Sequence, residues 1–147
     1  LNELPSFPIG TIPFAAIADE GVLAAGKLEI CRSLFLFTYP QRFEGNGAGF
    51  AIARQAIVSS RSFLPLENHP TYFADFTAFS GDSGGPVFIA GEKGQPLVVG
   101  VVLAQSRHDE RVTTEYEERV IHHPLGLGTI LHAQFVRSLI EKAAKEK

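Results

Sequence analysis

The chain has 147 residues, of which 45% are hydrophobic and 20% charged, and a formal net charge of −3. That is the size and composition of one globular domain able to bury a core. The weakly negative balance, with no basic stripe, argues against nucleic acid or an anionic membrane as partner. No apolar run reaches the roughly eighteen residues of a bilayer span.

Residues 1–14 hold Pro5, Pro8 and Pro13 around Gly10, which predicts an extended linker or edge segment ahead of a domain over 15–147. The chain contains no methionine and begins at Leu1, so Leu1 is expected to be an internal residue of a longer polypeptide. Residues 27–39 are apolar and aromatic and end at Pro40, a predicted strand. Cys31, the single cysteine, falls in that pattern and reads as a small buried hydrophobe. One cysteine excludes an intramolecular disulfide, which fits a cytoplasmic or a bacterial extracytoplasmic setting.

Residues 41–49, with Gly45, Gly47 and Gly49, predict a loop, and 50–58 a second strand. In 71–78, Tyr72, Ala74 and Phe76 alternate with Phe73, Asp75 and Thr77, a third strand. A glycine-rich turn at 79–86 leads into strands over 87–90 and 97–105, and 125–131 is a sixth. The charged stretch 106–119 reads as a solvated hairpin or mobile loop of weak local order. Residues 132–147 place Phe135, Val136, Leu139, Ile140 and Ala143 at helical spacing, with lysines in the last turns to suit the helix dipole. Six strands and a closing helix define an all-β class, a single small antiparallel barrel.

The chemistry-bearing stretch is Phe79-Ser80-Gly81-Asp82-Ser83-Gly84-Gly85-Pro86. A serine hydroxyl is a weak nucleophile until a base takes its proton, and acyl transfer also needs N–H groups aimed at the developing oxyanion. Flanking glycines let the backbone curl so that the amides of Gly81 and Ser83 share one space. Gly81-x-Ser83-x-Gly85 also fits the nucleophile elbow of α/β-hydrolases, but that elbow leads into a helix. Here Pro86 and a strand follow.

Gly81-Asp82-Ser83-Gly84-Gly85-Pro86 resembles, residue for residue, the serine signature of the chymotrypsin/trypsin-like peptidases. Phe37-Thr38-Tyr39-Pro40 is similar to the Gly-Tyr-Pro stretch of bacterial members, with Thr38 in place of glycine, and 97–102 resembles the strand that follows the serine. The resemblance implies the second, Greek-key barrel of that fold. It implies Ser83 as nucleophile and the amides of Gly81 and Ser83 as oxyanion hole. Leu103, Ala104 and Gln105 would be the strand on which substrate adds, and Thr77 the base of the primary specificity pocket. A neutral Thr77 implies an uncharged, small or medium apolar residue before the scissile bond. Asp82 resembles the aspartate that in many members pairs with a freed amino terminus. No cofactor or metal is implied; the partners are a peptide or protein substrate and an upstream N-terminal barrel carrying the base histidine and orienting aspartate.

The histidines of this chain do not fit the base. His69 reads as a solvated loop residue, and His108 and His132 as surface residues. His122 and His123 are adjacent, point opposite ways on a strand and lack a partner at metal-ligand spacing. The function expected is a serine endopeptidase acting through an acyl-enzyme on Ser83, inactive as this chain alone. The rivals are a non-catalytic protease-like binding module or pseudoenzyme, and a viral polyprotein protease of the same fold.

Overall fold

The computed structural model describes residues 11–91 and 95–146; most of the predicted linker, 1–10, lies outside the described residues. Six strands, β1 (Ser33–Thr38), β2 (Ile52–Val58), β3 (Thr71–Asp75), β4 (Pro86–Ala90), β5 (Pro96–Thr113) and β6 (Glu118–His132), form a closed barrel. Their order around the barrel is β1-β2-β3-β6-β5-β4, and every neighbouring pair is antiparallel. β4 returns to pair with β1, so β4-β1-β2-β3 is a Greek key.

The two-residue period of each strand decides what faces inward. In β1, Leu34, Leu36 and Thr38 are buried, and Phe35 and Phe37 point out. Tyr72 and Ala74 of β3, Val87 and Ile89 of β4, and Ile130 of β6 complete the interior. Each of the buried Leu, Val and Ile side chains contributes roughly 1.5–3 kcal/mol on leaving water. Phe76 and Ala78, past the end of β3, stay on the buried side, as the alternation predicts.

The end of the barrel is closed by chain segments that fasten to one another. Pro13 starts a single 3-10 turn at Phe14–Ala16, and a short helix α1 (Glu20–Ala24) follows. The C-terminal helix α2 (Ala133–Lys145) lies against β5. Arg137 of α2 donates to the Ile17 carbonyl at 2.9 Å and stacks on the Phe14 ring at 4.3 Å. The Glu20 N–H donates to Gln134 Oε1 at 3.0 Å, and its carboxylate accepts the Leu66 N–H at 2.9 Å. Residues 11–17 are thereby strapped to the barrel.

Three sequence expectations are corrected. Cys31 is exposed, in a left-handed conformation (φ 67°) just before β1. His132 is buried, because β6 turns into α2 there and its ring packs 4.8 Å from that of Tyr72. The two strands run well past their predicted ends: β5 and β6 pair out to Thr113↔Glu118, so the charged stretch is a solvated hairpin, the first of its two expected forms, and not a loop. They form a two-stranded arm closed by Thr114, whose hydroxyl accepts the Glu117 N–H at 3.1 Å. At the root of the arm, residues 125–127 of β6 stand opposite the single residue Ser106, with Gly126 at φ +71°. Such a bulge bends a ribbon and re-aims it.

Candidate functional site

The serine turn, residues 79–86, lies between the end of β3 and β4. The Asp82 N–H donates to the Phe79 carbonyl (3.1 Å) and the Gly85 N–H to the Asp82 carbonyl (3.0 Å). Gly84 N–H to Val102 carbonyl (2.8 Å) and Val102 N–H to Gly85 carbonyl (2.9 Å) pin the turn to β5. On the other side the Gln41 N–H donates to the Ser80 carbonyl at 2.6 Å. Only glycine fits at two of these positions. Gly81 has φ +96°, and a methyl group on it would overlap the Tyr39 carbonyl; one on Gly85 would lie 2.6 Å from Thr38 Cγ2.

Ser83 is exposed, and its Oγ lies 3.4 Å from the Leu103 carbonyl. The structure therefore brings Ser83 together with Leu103, and Ala104 and Gln105 follow on the same exposed stretch of β5. Neither the Gly81 nor the Ser83 N–H donates to any group among the described residues.

Asp82 is fully buried and is held by a group the sequence reading missed. Arg54, on the inward side of β2 and paired in register with Leu36, places its guanidinium 2.8 Å from Asp82 Oδ2. The same guanidinium donates to the Thr77 carbonyl and lies 5.2 Å from the centre of the Phe76 ring. The Phe79 N–H also donates to Asp82 Oδ2, at 2.7 Å. An arginine of this chain thus fixes the aspartate beside Ser83. Asp82 Oδ1 is buried with no partner among the described residues. The available signal was one arginine at an inward position of β2, in step with the buried Ala56 and Val58, a side chain that must find a buried anion.

Thr77 is exposed, and its carbonyl rather than its hydroxyl carries the contact to Arg54. Gly128 stands beside Gln105 across the ladder, and the Phe76 ring packs so closely on it that a methyl group there would overlap the ring.

No histidine is hydrogen-bonded to Ser83. His69 packs against Phe63 (ring centres 5.4 Å apart), and His108 stands exposed on the arm. His122 Nδ1 lies 2.6 Å from Asp109 Oδ1, and His123 Nε2 lies 2.9 Å from Glu110 Oε2, on the opposite face. The adjacent histidines do point opposite ways, and each has found a carboxylate across the ladder. That bond to His122 holds the Asp109 carboxyl below its ordinary pKa. His132 has its pKa pushed down to about 4 by burial. Among the described residues no cluster of three or more His, Cys, Asp or Glu is placed to hold a metal ion, and no helix is long and apolar enough to cross a membrane.

A second feature flanks the site. The outward face of β1 and β4 carries Phe35, Phe37 and Phe88, with Phe37 and Phe88 edge to face at 5.6 Å. With Ile12 and Pro96 they line an apolar groove of about 500 Å³. No protein-family model matches the chain, and no curated protein matches its sequence.

Proposed function

We propose that this barrel carries the nucleophile of a trypsin-like serine endopeptidase, with the base histidine and orienting aspartate supplied by a second barrel. The observation that carries the reading is the nucleophile turn itself. An exposed Ser83 hydroxyl sits beside the open stretch of β5 that begins at Leu103, on a turn whose Gly81 and Ser83 amides have no acceptor among the described residues. In the reaction, Ser83 Oγ attacks the scissile carbonyl while the base takes its proton. The Gly81 and Ser83 amides hold the oxyanion, the leaving amine takes the proton back, and water then hydrolyses the ester. None of the chain's own histidines is bonded to Ser83, so the base comes from elsewhere. The Phe35/Phe37/Phe88 face supports a docked barrel, since apolar area of this kind marks an interaction surface. Thr77 is neutral and offers no countercharge to a cationic side chain in a pocket based there, which favours an uncharged one.

The same lack of a bonded histidine would suit a protease-like binding module. A fluorophosphonate probe separates the two. The chain alone labels weakly, the protein joined with its second barrel labels strongly, and Ser83→Ala abolishes the signal. Absence of labelling in the complete protein would leave the binding module. Efficient cleavage by the chain alone would send the search for a base back to His69 and His108.

A further inference from the structure

β5 has two edges. One pairs with β6 along its length. The other pairs with β4 only over Pro96–Val101, and the nucleophile turn covers Val102. From Leu103 to Thr113 no strand of the described residues lies against that edge. Those residues span about 33 Å at the usual strand rise, and the stretch starts where Ser83 Oγ meets the Leu103 carbonyl. In a ladder, alternate residues direct their N–H and C=O away from the paired strand. The edge is therefore a row of unengaged donors and acceptors leading out of the nucleophile site.

The two edges of the arm are not alike. That of β6 carries Pro124 and the 125–127 bulge, devices that block strand addition. The β5 edge has one extra residue, Leu103 between Val102 and Ala104, and beyond it no proline or further extra residue out to Thr113. Its side chains at Arg107, Asp109, Glu110 and Arg111 mix both charges. They give no single sign or shape for a partner to match.

The geometry points to the β5 arm as an extended substrate track. A polypeptide adds to it as an antiparallel strand, with the residue to be cleaved at Ser83 and the residues before it running out towards Thr113. Antiparallel addition fixes this direction, because β5 runs away from Ser83 as its numbers rise. Main-chain hydrogen bonds supply the affinity. The substrate class is therefore unfolded or extended polypeptide with roughly ten free residues ahead of the cut, chosen for length and extension more than for sequence. This rests on the endopeptidase reading above, and it extends the track well beyond Leu103, Ala104 and Gln105.

The test uses the complete protein and quenched fluorescent peptides sharing one cleavage sequence, with about four or about twelve residues before the cut. Expected is a kcat/KM about tenfold or more higher for the long peptide. Replacing residues 107–124 by Asn-Gly should remove the gain and leave the short peptide's rate unchanged. A second measurement needs no variant. N-methylation of single backbone amides along the long peptide should lower its rate at every other position. Equal rates for both lengths, a gain that survives the shortened arm, or no two-residue period would overturn the track. So would sedimentation showing that the β5 edge is filled by a second copy of the chain. If no peptide is cleaved, the endopeptidase reading has failed, and the track is judged by binding. Fluorescence anisotropy should then show the long peptide binding about tenfold or more tightly than the short one, lost with the shortened arm. Equal binding would sink it.

Discussion

β5 and β6 build two regions of opposite character from one continuous ladder. Within the barrel, Val98, Val99 and Val102 belong to one buried core with Ile130 and Tyr72, and Val102 stands opposite Ile130. Past the Gly126 bulge the same strands leave the core, and the side chains from Arg107 to Leu125 are exposed on both faces. Hydrogen bonding is common to both regions, so the difference lies in burial. Backbone bonds contribute little net stability when water competes for them, whereas buried apolar area contributes most of it. A ladder can thus be carried out of the core on backbone bonds with little burial.

The sharpest contrast is between two arginine–carboxylate pairs. Arg54 and Asp82 meet at 2.8 Å with side-chain exposures of 19% and 1%; Arg119 and Glu117 meet at 2.7 Å with 68% and 53%. The geometry is alike and the surroundings are not. Arg54→Met leaves a buried carboxylate without its countercharge, which should cost about 3–5 kcal/mol. Arg119→Met should cost about 0.5 kcal/mol or less, since water replaces the partner. Urea unfolding of both variants checks this. Equal losses would mean that Asp82 is hydrated, contrary to its burial. Arg54→Met should also weaken probe labelling at Ser83 in the complete protein by more than its loss of stability explains, because Asp82 anchors the turn.

Acid should separate the regions next. His132 is buried with its pKa lowered to about 4, against an ordinary 6.5. Between those values the unfolded chain binds the proton and the folded chain does not. The stabilisation is complete above pH 6.5 and is lost as pH falls towards 4, by up to about 3 kcal/mol. Unfolding by urea at a series of pH values should show this slope, and His132→Phe should flatten it. The arm titrates differently. Asp109, its pKa lowered first by the His122 bond, loses its contribution as the pH falls through and below its ordinary 3.8, and being exposed it should barely move global stability. A slope that survives His132→Phe would place the proton elsewhere.

The parts of this fold legible in the sequence were those with a buried face. Tyr72, Ala74 and Phe76 announced their side of β3, and Leu34 and Leu36 theirs of β1, because alternation records burial. The arm has no buried face, so nothing in Arg107 to Thr113 decided between a solvated hairpin and a loop, although its backbone is ladder. α1, only five residues long and containing Gly21, gave no helical period. The serine turn was legible because Gly81 and Gly85 are imposed by close backbone contacts within a short stretch. Arg54 was not, since its partner Asp82 comes from the far side of two strands and a loop, and spacing along the chain carries no record of that meeting.

The smallest expected effect distinguishes the two regions at neighbouring glycines of β6. Gly128 lies inside the barrel, where an added methyl group would overlap the Phe76 ring. Gly128→Ala forces that ring aside in a packed interior, at about 1–3 kcal/mol. Gly126 lies at the root of the arm with φ +71° and no atom within 4 Å of an added methyl group. Its replacement by alanine meets no neighbour; the cost is that of holding a non-glycine residue in a left-handed conformation, about 1 kcal/mol. Asn at the same position tolerates that conformation and should recover part of the loss. Thermal unfolding of Gly128→Ala, Gly126→Ala and Gly126→Asn ranks the three. Should Gly126→Asn prove no better than Gly126→Ala, the bend at the bulge is not set by the left-handed backbone. The aim of the arm would then depend on packing at Leu125 and Leu127.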